Sequence, residues 1–491
     1  MVKLWMAEGY VQLEPEQKPE DIGAEYFDVL SQRTLLQSSL QDGGKHTMHD
    51  LIHDLAQTVS QPFCCRVEKL EMNKKSSFNP NENTRHVSLL AEQVEQPTLQ
   101  IIKNSKRQHT LLFPVPRHRA YGTSELLLPF EDLRRFGNAQ RQVFRSLVYM
   151  HVLDMSFSAV QTLPESIGEM KLLRYLDFSK TELKELPDSI CNLYHLQTLK
   201  LLGCPFIFSL PKNFQNLVNL RHLELDDMFW FKVRAIPQSI GRLTNLHNLH
   251  KFQLGCNTGY KLEELKNMEH LTGKLHISNL EHAVNAGKAK KRGGEANSAQ
   301  VNAKEANLEG KKMINKMVYE WSDSELNLQD DAIEKQVLED LKPPPGITEL
   351  RICHYRGSEF PSWMGGGQLQ DVVTIVLNDC NKIKTLSLGK LPKLREVHLK
   401  NMQELKEWKE EEYESLDWGK IDEHDYQPLT RVTICNCPSL VKVPSCFSKL
   451  NALKIIKCKK LQNVPFGPMQ FVTLEDNDVL KHWGEESLQV I

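Results

Sequence analysis

The residues best spaced for chemistry are the two histidines of His49-Asp50-Leu51-Ile52-His53. Four apart on a helix, they would share a face and could together ligate zinc. In a metalloprotease helix of this spacing, a glutamate directly after the first histidine acts as general base. Here that place holds Asp50, one methylene shorter, and no third ligand is evident. Cys435-x-Cys437, with Cys446 and Cys458, also suggests a metal, but the spacing matches no zinc pattern. A phosphate loop needs a leading Gly and a Ser or Thr after Gly-Lys. Gly44-Lys45 is followed by His46, and Gly273-Lys274 and Gly310-Lys311 fail likewise. The sequence therefore predicts no catalytic residue, no metal and no enzyme.

Bulk properties narrow the class further. A formal net charge of −2 gives no global field to recruit nucleic acid or an anionic membrane, and no specific nucleic-acid partner is expected. No apolar run approaches the roughly 18–20 residues of a membrane span. The 11 cysteines are odd in number and lack a framework spacing. No Asn-x-Ser/Thr acceptor occurs in the chain. Both facts suit reduced thiols in the cytoplasm, with the nucleus as the other such compartment.

The elements that must carry the surface are set by a repeated phrase. Leu163-Pro164-Glu165-Ser166-Ile167 returns as Leu186-Pro187-Asp188-Ser189-Ile190, Leu210-Pro211-Lys212-Asn213-Phe214 and Ile236-Pro237-Gln238-Ser239-Ile240. Before each phrase runs L-x-x-L-x-L, as in Leu196-x-x-Leu199-x-Leu201 and Leu220-x-x-Leu223-x-Leu225. A period of 20–29 residues with this leucine spacing is the mark of leucine-rich repeats. Such repeats stack into an elongated binding surface. Cys204, Cys380, Cys437 and Cys458 all fall in one slot just after the repeat strand, which predicts a buried structural thiol.

The expected fold class is α/β: a leucine-rich-repeat solenoid preceded by a partial helical winged-helix unit. Residues 1–62 read as helical, with Met48, Leu51, Ile52, Leu55 and Val59 on one stripe of the last helix. Residues 63–150 are a transition that should cap the open end of the solenoid. Regular repeats fill 151–260. Irregular repeats with a polar insert occupy 261–345, with a strand near Met313 to Trp321 and a helix from Asp330 to Leu341 stopped by Pro343-Pro344-Pro345. Irregular carboxyl-terminal repeats fill 346–491.

Strand alternation sends the leucines to the core and their neighbours to the concave face. Asp177, Lys200 and Glu224 should face solvent there. With Tyr175 and His222 they are the expected partner-binding residues. Trp230, in Met228-Phe229-Trp230-Phe231 where one repeat is lengthened, is the expected aromatic contact beside them. The basic run at 287–294 and the acidic run Glu410-Glu411-Glu412 read as solvated loops.

Val2-Lys3-Leu4-Trp5-Met6-Ala7-Glu8-Gly9-Tyr10, then Met48-His49-Asp50-Leu51-Ile52-His53-Asp54-Leu55-Ala56, then Leu-Pro repeats, resemble one family in that order. It is the non-TIR class of plant nucleotide-binding leucine-rich-repeat immune receptors. Ile277-Ser278-Asn279-Leu280-Glu281 and Phe360-Pro361-Ser362-Trp363-Met364 add to the likeness. The resemblance implies that His49 and Asp50 belong to the motif that contacts the phosphate of ADP in the resting receptor, with Met48 packed beneath. It implies a role in plant defence, with a pathogen effector, a guarded host protein or other receptor domains as partners. ADP and ATP are the cofactors of the full-length family. Without a phosphate loop or a Mg-binding acidic strand, this chain is expected to hold no nucleotide by itself. A carboxyl-terminal receptor fragment or incomplete gene product is therefore expected, with a standalone repeat adaptor or decoy as the alternative.

Overall fold

The repeat strands are short, most of them three to five residues long, because each coil turns away soon after its buried leucine. The computed structural model describes residues 1–12, 17–38, 46–67, 83–89, 107–113, 144–226 except 159, 237–285, 300–323 except 302, 331–365, 367–409 except 389 and 390, 429–444, 450–461, 464 and 470–477. The chain forms two compact units, Met1–Leu246 and His247–Ile491.

The first unit opens with helices α1 (Val2–Glu8) and α2 (Pro19–Gln32), a hairpin of β1 (Gln37–Ser38) and β2 (His46–Thr47), and α3 (Asp50–Ser60). Gly9 ends α1 in the left-handed region at φ 80°, where its N–H and that of Tyr10 close on the last turn's carbonyls. Pro19 starts α2, and Glu20 and Asp21 follow at the end that favours negative charge. The two helices bury Met6, Val11 and Ile22 between them, with Val2 and Trp5 alongside. A Cβ on Gly23 would meet the Val2 side chain at 2.4 Å, so this close approach requires glycine.

Seven parallel strands follow in one sheet: β3 (Cys64–Val67), β4 (His86–Leu89), β5 (Thr110–Leu112), β6 (Val152–Asp154), β7 (Tyr175–Asp177), β8 (Thr198–Lys200) and β9 (His222–Glu224). Their middle residues stay in register, so Leu153, Leu176, Leu199 and Leu223 stack in the core at 1% exposure or less. The Leu-Pro corners lead into short 3-10 turns at Glu165–Glu169 and Asp188–Asn192. A Cβ on Gly168 would lie 2.5 Å from the Ser189 carbonyl of the next coil. That contact explains the glycine in the first corner.

One expectation changes here. The segment 63–150 was expected to cap the solenoid, yet its described strands β3, β4 and β5 extend the same parallel ladder. The sequence does read as short strands at Arg85 to Leu90 and Gln108 to Val115, where β4 and β5 lie, but their place in the ladder depends on stacking against the next coil.

The second unit carries a nine-stranded parallel sheet: β10 (Lys251–Gln253), β11 (Gly273–Ser278), β14 (Ile314–Glu320), β15 (Glu349–Cys353), β16 (Thr374–Asn378), β18 (Glu396–Lys400), β20 (Arg431–Cys435), β21 (Ala452–Ile456) and β22 (Phe471–Glu475). Two short pairs accompany it: β12 (Val284–Asn285) with β13 (Gln300–Val301), and β17 (Thr385–Leu386) with β19 (Glu407–Trp408). Helices α4 (Asp331–Asp340) and α5 (Ser362–Gly365) lie between strands, and α4 and β14 match the elements expected there. After most strands one residue turns through the left-handed region, and Asn279, Asp379, Asn401, Asn436 and Asp476 fill that place. Short polar side chains tolerate this conformation best.

The cysteine slot is structural. Cys204, Cys380, Cys437 and Cys458 are all buried. The thiols of Cys204, Cys380 and Cys458 point at carbonyls of Phe178, Ile352 and Ile434 in preceding coils.

Candidate functional site

The expected partner face lies in the first unit, on the side of β6 to β9 opposite the leucine core. Tyr175, Thr198 and His222 form one row across it, and Asp177, Lys200 and Glu224 the next. These residues were expected to face solvent, but Tyr175, Asp177 and His222 are buried, and Lys200 and Glu224 are half-buried. The cover is the start of the same chain. Ala7 of α1 packs on Val152 and Tyr175, with Leu4 and Leu112 at the edge.

Polar contacts complete the cover. Lys3 of α1 pairs with Glu224, and Lys200 bridges Asp177 at 3.2 Å and Glu224 at 3.5 Å. The Tyr175 hydroxyl donates to Asp177 at 3.0 Å. Glu20, at the start of α2, receives both arms of the Arg221 guanidinium at 2.6 and 2.7 Å and meets His222 Nε2 at 3.1 Å. Arg174 donates to the Ala7 carbonyl at 3.3 Å. Burial alone would raise the Glu224 carboxyl, but Lys3 and Lys200 outweigh it and hold it below its ordinary range. Burial would lower the Lys200 ammonium, and Asp177 and Glu224 raise it instead. Burial pushes the Tyr175 phenol up.

The end of α1 forms a second cluster, over the leading edge of β4 to β6. Thr110 donates to the Glu8 carboxylate and also meets His86 Nδ1 at 2.9 Å, while the Tyr10 hydroxyl meets His86 Nε2 at 3.0 Å. His109 and His151 stack with ring centres 4.5 Å apart. Burial raises the Glu8 carboxyl and lowers the His86 and His109 imidazoles, and it brings His151 down to about 4. Sequence reading missed this cluster, because its members are distant in the chain and none sits in a motif.

The remaining expected site residues lie apart. His49 caps the start of α3, its Nδ1 accepting from the Leu51 N–H at 3.3 Å and facing Asp50 Oδ1 at 2.6 Å. Asp50 Oδ1 also accepts from Leu51 N–H, at 2.7 Å. The His49 and Asp50 side chains are exposed. Met48, expected beneath them, is exposed as well, as are Leu51, Leu55 and Val59 of the same stripe. Trp230 and its aromatic neighbours, the basic run at 287–294 and the acidic run from Glu410 lie outside the described residues.

A helical winged-helix unit seated on a leucine-rich-repeat sheet defines the class of this protein. Residues 1–56 match the disease resistance protein winged helix domain, and residues 262–402 match the R13L1/DRL21 leucine-rich repeats. The chain is 30% identical to putative disease resistance RPP13-like protein 1 of Arabidopsis thaliana, over 95% of this chain and 45% of that protein. It is 29% identical to disease resistance protein RGA2 of Solanum bulbocastanum, over 90% of this chain and 38% of that one. Putative disease resistance protein RGA4 of the same species is also 29% identical, over 82% of this chain and 34% of its own length. The chain is thus similar to plant disease-resistance proteins, with a winged-helix match at residues 1–56 and a leucine-rich-repeat match at residues 262–402. It spans less than half the length of these curated relatives. Among the described residues, no helix is long and apolar enough to cross a membrane.

Proposed function

We propose that this chain acts in plant defence as the sensing and restraining part of an intracellular immune receptor. Its repeats recognise a pathogen effector or a guarded host protein, and the seat of α1 and α2 on the repeat sheet holds the signalling module at rest. The observation that carries this reading is the pairing of Glu20 with Arg221 and His222, together with Lys3 on Glu224. These are partly buried, charge-assisted contacts between the winged-helix unit and the repeats, stronger than exposed ion pairs.

On this reading Tyr175, Asp177, Lys200, His222 and Glu224 serve restraint first, and a partner reaches them by displacing α1. Recognition in the resting state then falls to the open face of the second unit. There Lys251, His276, Arg351, His398 and Lys454 share one row of the strand register with Val318, Val376 and Thr433. Acids flank that row, with Glu320 on His276 at 2.8 Å and Glu349 on Lys316 at 3.1 Å. A face of mixed charge of this kind favours a polar protein surface over nucleic acid.

A charge swap tests the restraint. Glu20→Arg or Arg221→Glu alone sets two like charges face to face in a partly buried site, a cost on the order of 3 kcal/mol. Each single variant should speed hydrogen exchange in α1 and α2 and, placed in the full receptor, trigger cell death in leaf tissue without a pathogen. The double variant should restore both protection and silence. Single variants that stay protected and silent would refute the restraint.

A further inference from the structure

We propose that Glu8, His109 and His151 form a site for one divalent transition-metal ion of the Zn2+ type, which clamps the end of α1 to the leading edge of β5 and β6. This inference does not rest on the immune reading; it follows from what the fold brings together.

The parallel ladder makes half of the site. His109 and His151 each directly precede a strand at the same level of adjacent coils, and the His151 N–H donates to the His109 carbonyl at 2.7 Å. Neighbouring strands lie about 4.8 Å apart, so side chains from equal positions stand side by side. The two rings accordingly stack. Helix α1 supplies the other half. Its left-handed glycine cap and the Thr110 hydroxyl set Glu8 over the rings. A carboxylate oxygen and one nitrogen from each ring all lie within 4.8 Å of one another.

The local chemistry is incomplete without a cation. The Glu8 side chain is only 8% exposed, and among the described residues it has no lysine or arginine ion pair. His86 and His151 stand at 4.0 and 3.9 Å, beyond hydrogen-bond reach. His151 Nδ1 is buried with no hydrogen-bond partner. A buried acceptor and a buried carboxylate facing one point are costly unless something positive lies between them.

The donor set selects the ion. Two imidazoles and one carboxylate suit Zn2+ and its first-row neighbours, whereas Ca2+ and Mg2+ take all-oxygen sites. Zinc bonds of roughly 2.0–2.2 Å require the three donors to close by an ångström or so, within reach of side-chain rotation. Water would complete a tetrahedron. Thr110, bonded to Glu8 and to His86, is placed to orient the carboxylate from the outer shell.

The test uses the whole chain, stripped with chelator and titrated calorimetrically with Zn2+, with Co2+ absorption as a spectroscopic reporter. One equivalent should bind, with the visible bands of tetrahedral Co2+, and Zn2+ should slow hydrogen exchange in α1. Glu8→Gln, His109→Ala and His151→Ala should each weaken binding by at least about tenfold. Glu8→Gln keeps the shape of the residue and decides the matter if a histidine variant fails to fold. The paired His49→Ala and His53→Ala variant should bind as the wild type does. No stoichiometric metal, or binding that survives in Glu8→Gln and follows the His49 and His53 pair, would overturn the site.

Discussion

Asp154 shows how one residue can oppose its own fold. It sits beside Asp177 on the next strand, with Lys200 one strand further. Burial, then the Asp177 charge, moves its carboxyl from the ordinary 3.8 up to about 6, despite the Ser156 N–H it accepts at 2.9 Å. A raised carboxyl means that the folded state binds the proton more tightly than the unfolded chain. This residue's contribution is therefore most favourable at low pH and declines as pH rises from about 4 through 6. Asp154→Asn removes the penalty while keeping an acceptor for Ser156. The variant should gain on the order of 1–2 kcal/mol at pH 7 and nothing at pH 4. Urea denaturation at the two pH values would read this, and an equal gain at both would exclude the titration as its cause. Glu224 has the opposite sign, its depressed carboxyl favouring the fold above the ordinary carboxylate range and losing that contribution as pH falls through its own value.

At the scale of elements, the leucine spacing separates strands that carry the core from a helix that does not. Leu199 of β8 is fully buried between coils, while Leu55 of α3 is 59% exposed. Leu199→Ala should cost about 2–5 kcal/mol through lost burial and a cavity that neighbouring coils cannot close. Leu55→Ala should change stability by no more than about 0.5 kcal/mol. Thermal melts of the two variants would decide this, and equal losses would mean that α3 packs against the fold. The α3 stripe was read from the sequence as a core face because its 3.6-residue period is correct. Periodicity reports that a face is apolar, and only packing reports whether anything covers it. The Cys slot was legible for the converse reason. Each coil repeats the same environment, so four cysteines at one offset announce one role.

At the scale of the molecule, His49 marks what the chain can do alone. Its Nδ1 faces Asp50 and the Leu51 N–H in the first turn of α3, and the His49 and Asp50 side chains are open to solvent. Micromolar nucleotide binding needs about 8 kcal/mol, far more than one exposed histidine supplies. Titration of this chain with ADP should give no saturable heat, and micromolar binding that His49→Ala removes would reverse that expectation. The same scale explains the changed reading of Asp177, Lys200 and Glu224. Alternation placed them correctly on the face away from the leucines. It could not tell that α1 and α2, more than 140 residues earlier in the chain, would lie on that face.

The repeat phrase and the leucine spacing determined by themselves that parallel strands would stack with their leucines inside. Such order is local: each coil needs only its own pattern and a like neighbour. The tertiary structure alone decided which surface remains open. It seated Lys3 on Glu224 and Glu20 on Arg221, and it brought Glu8 over His109 and His151. Those contacts depend on where a distant helix docks, and docking is settled by the fit of whole faces, which no spacing within one segment records.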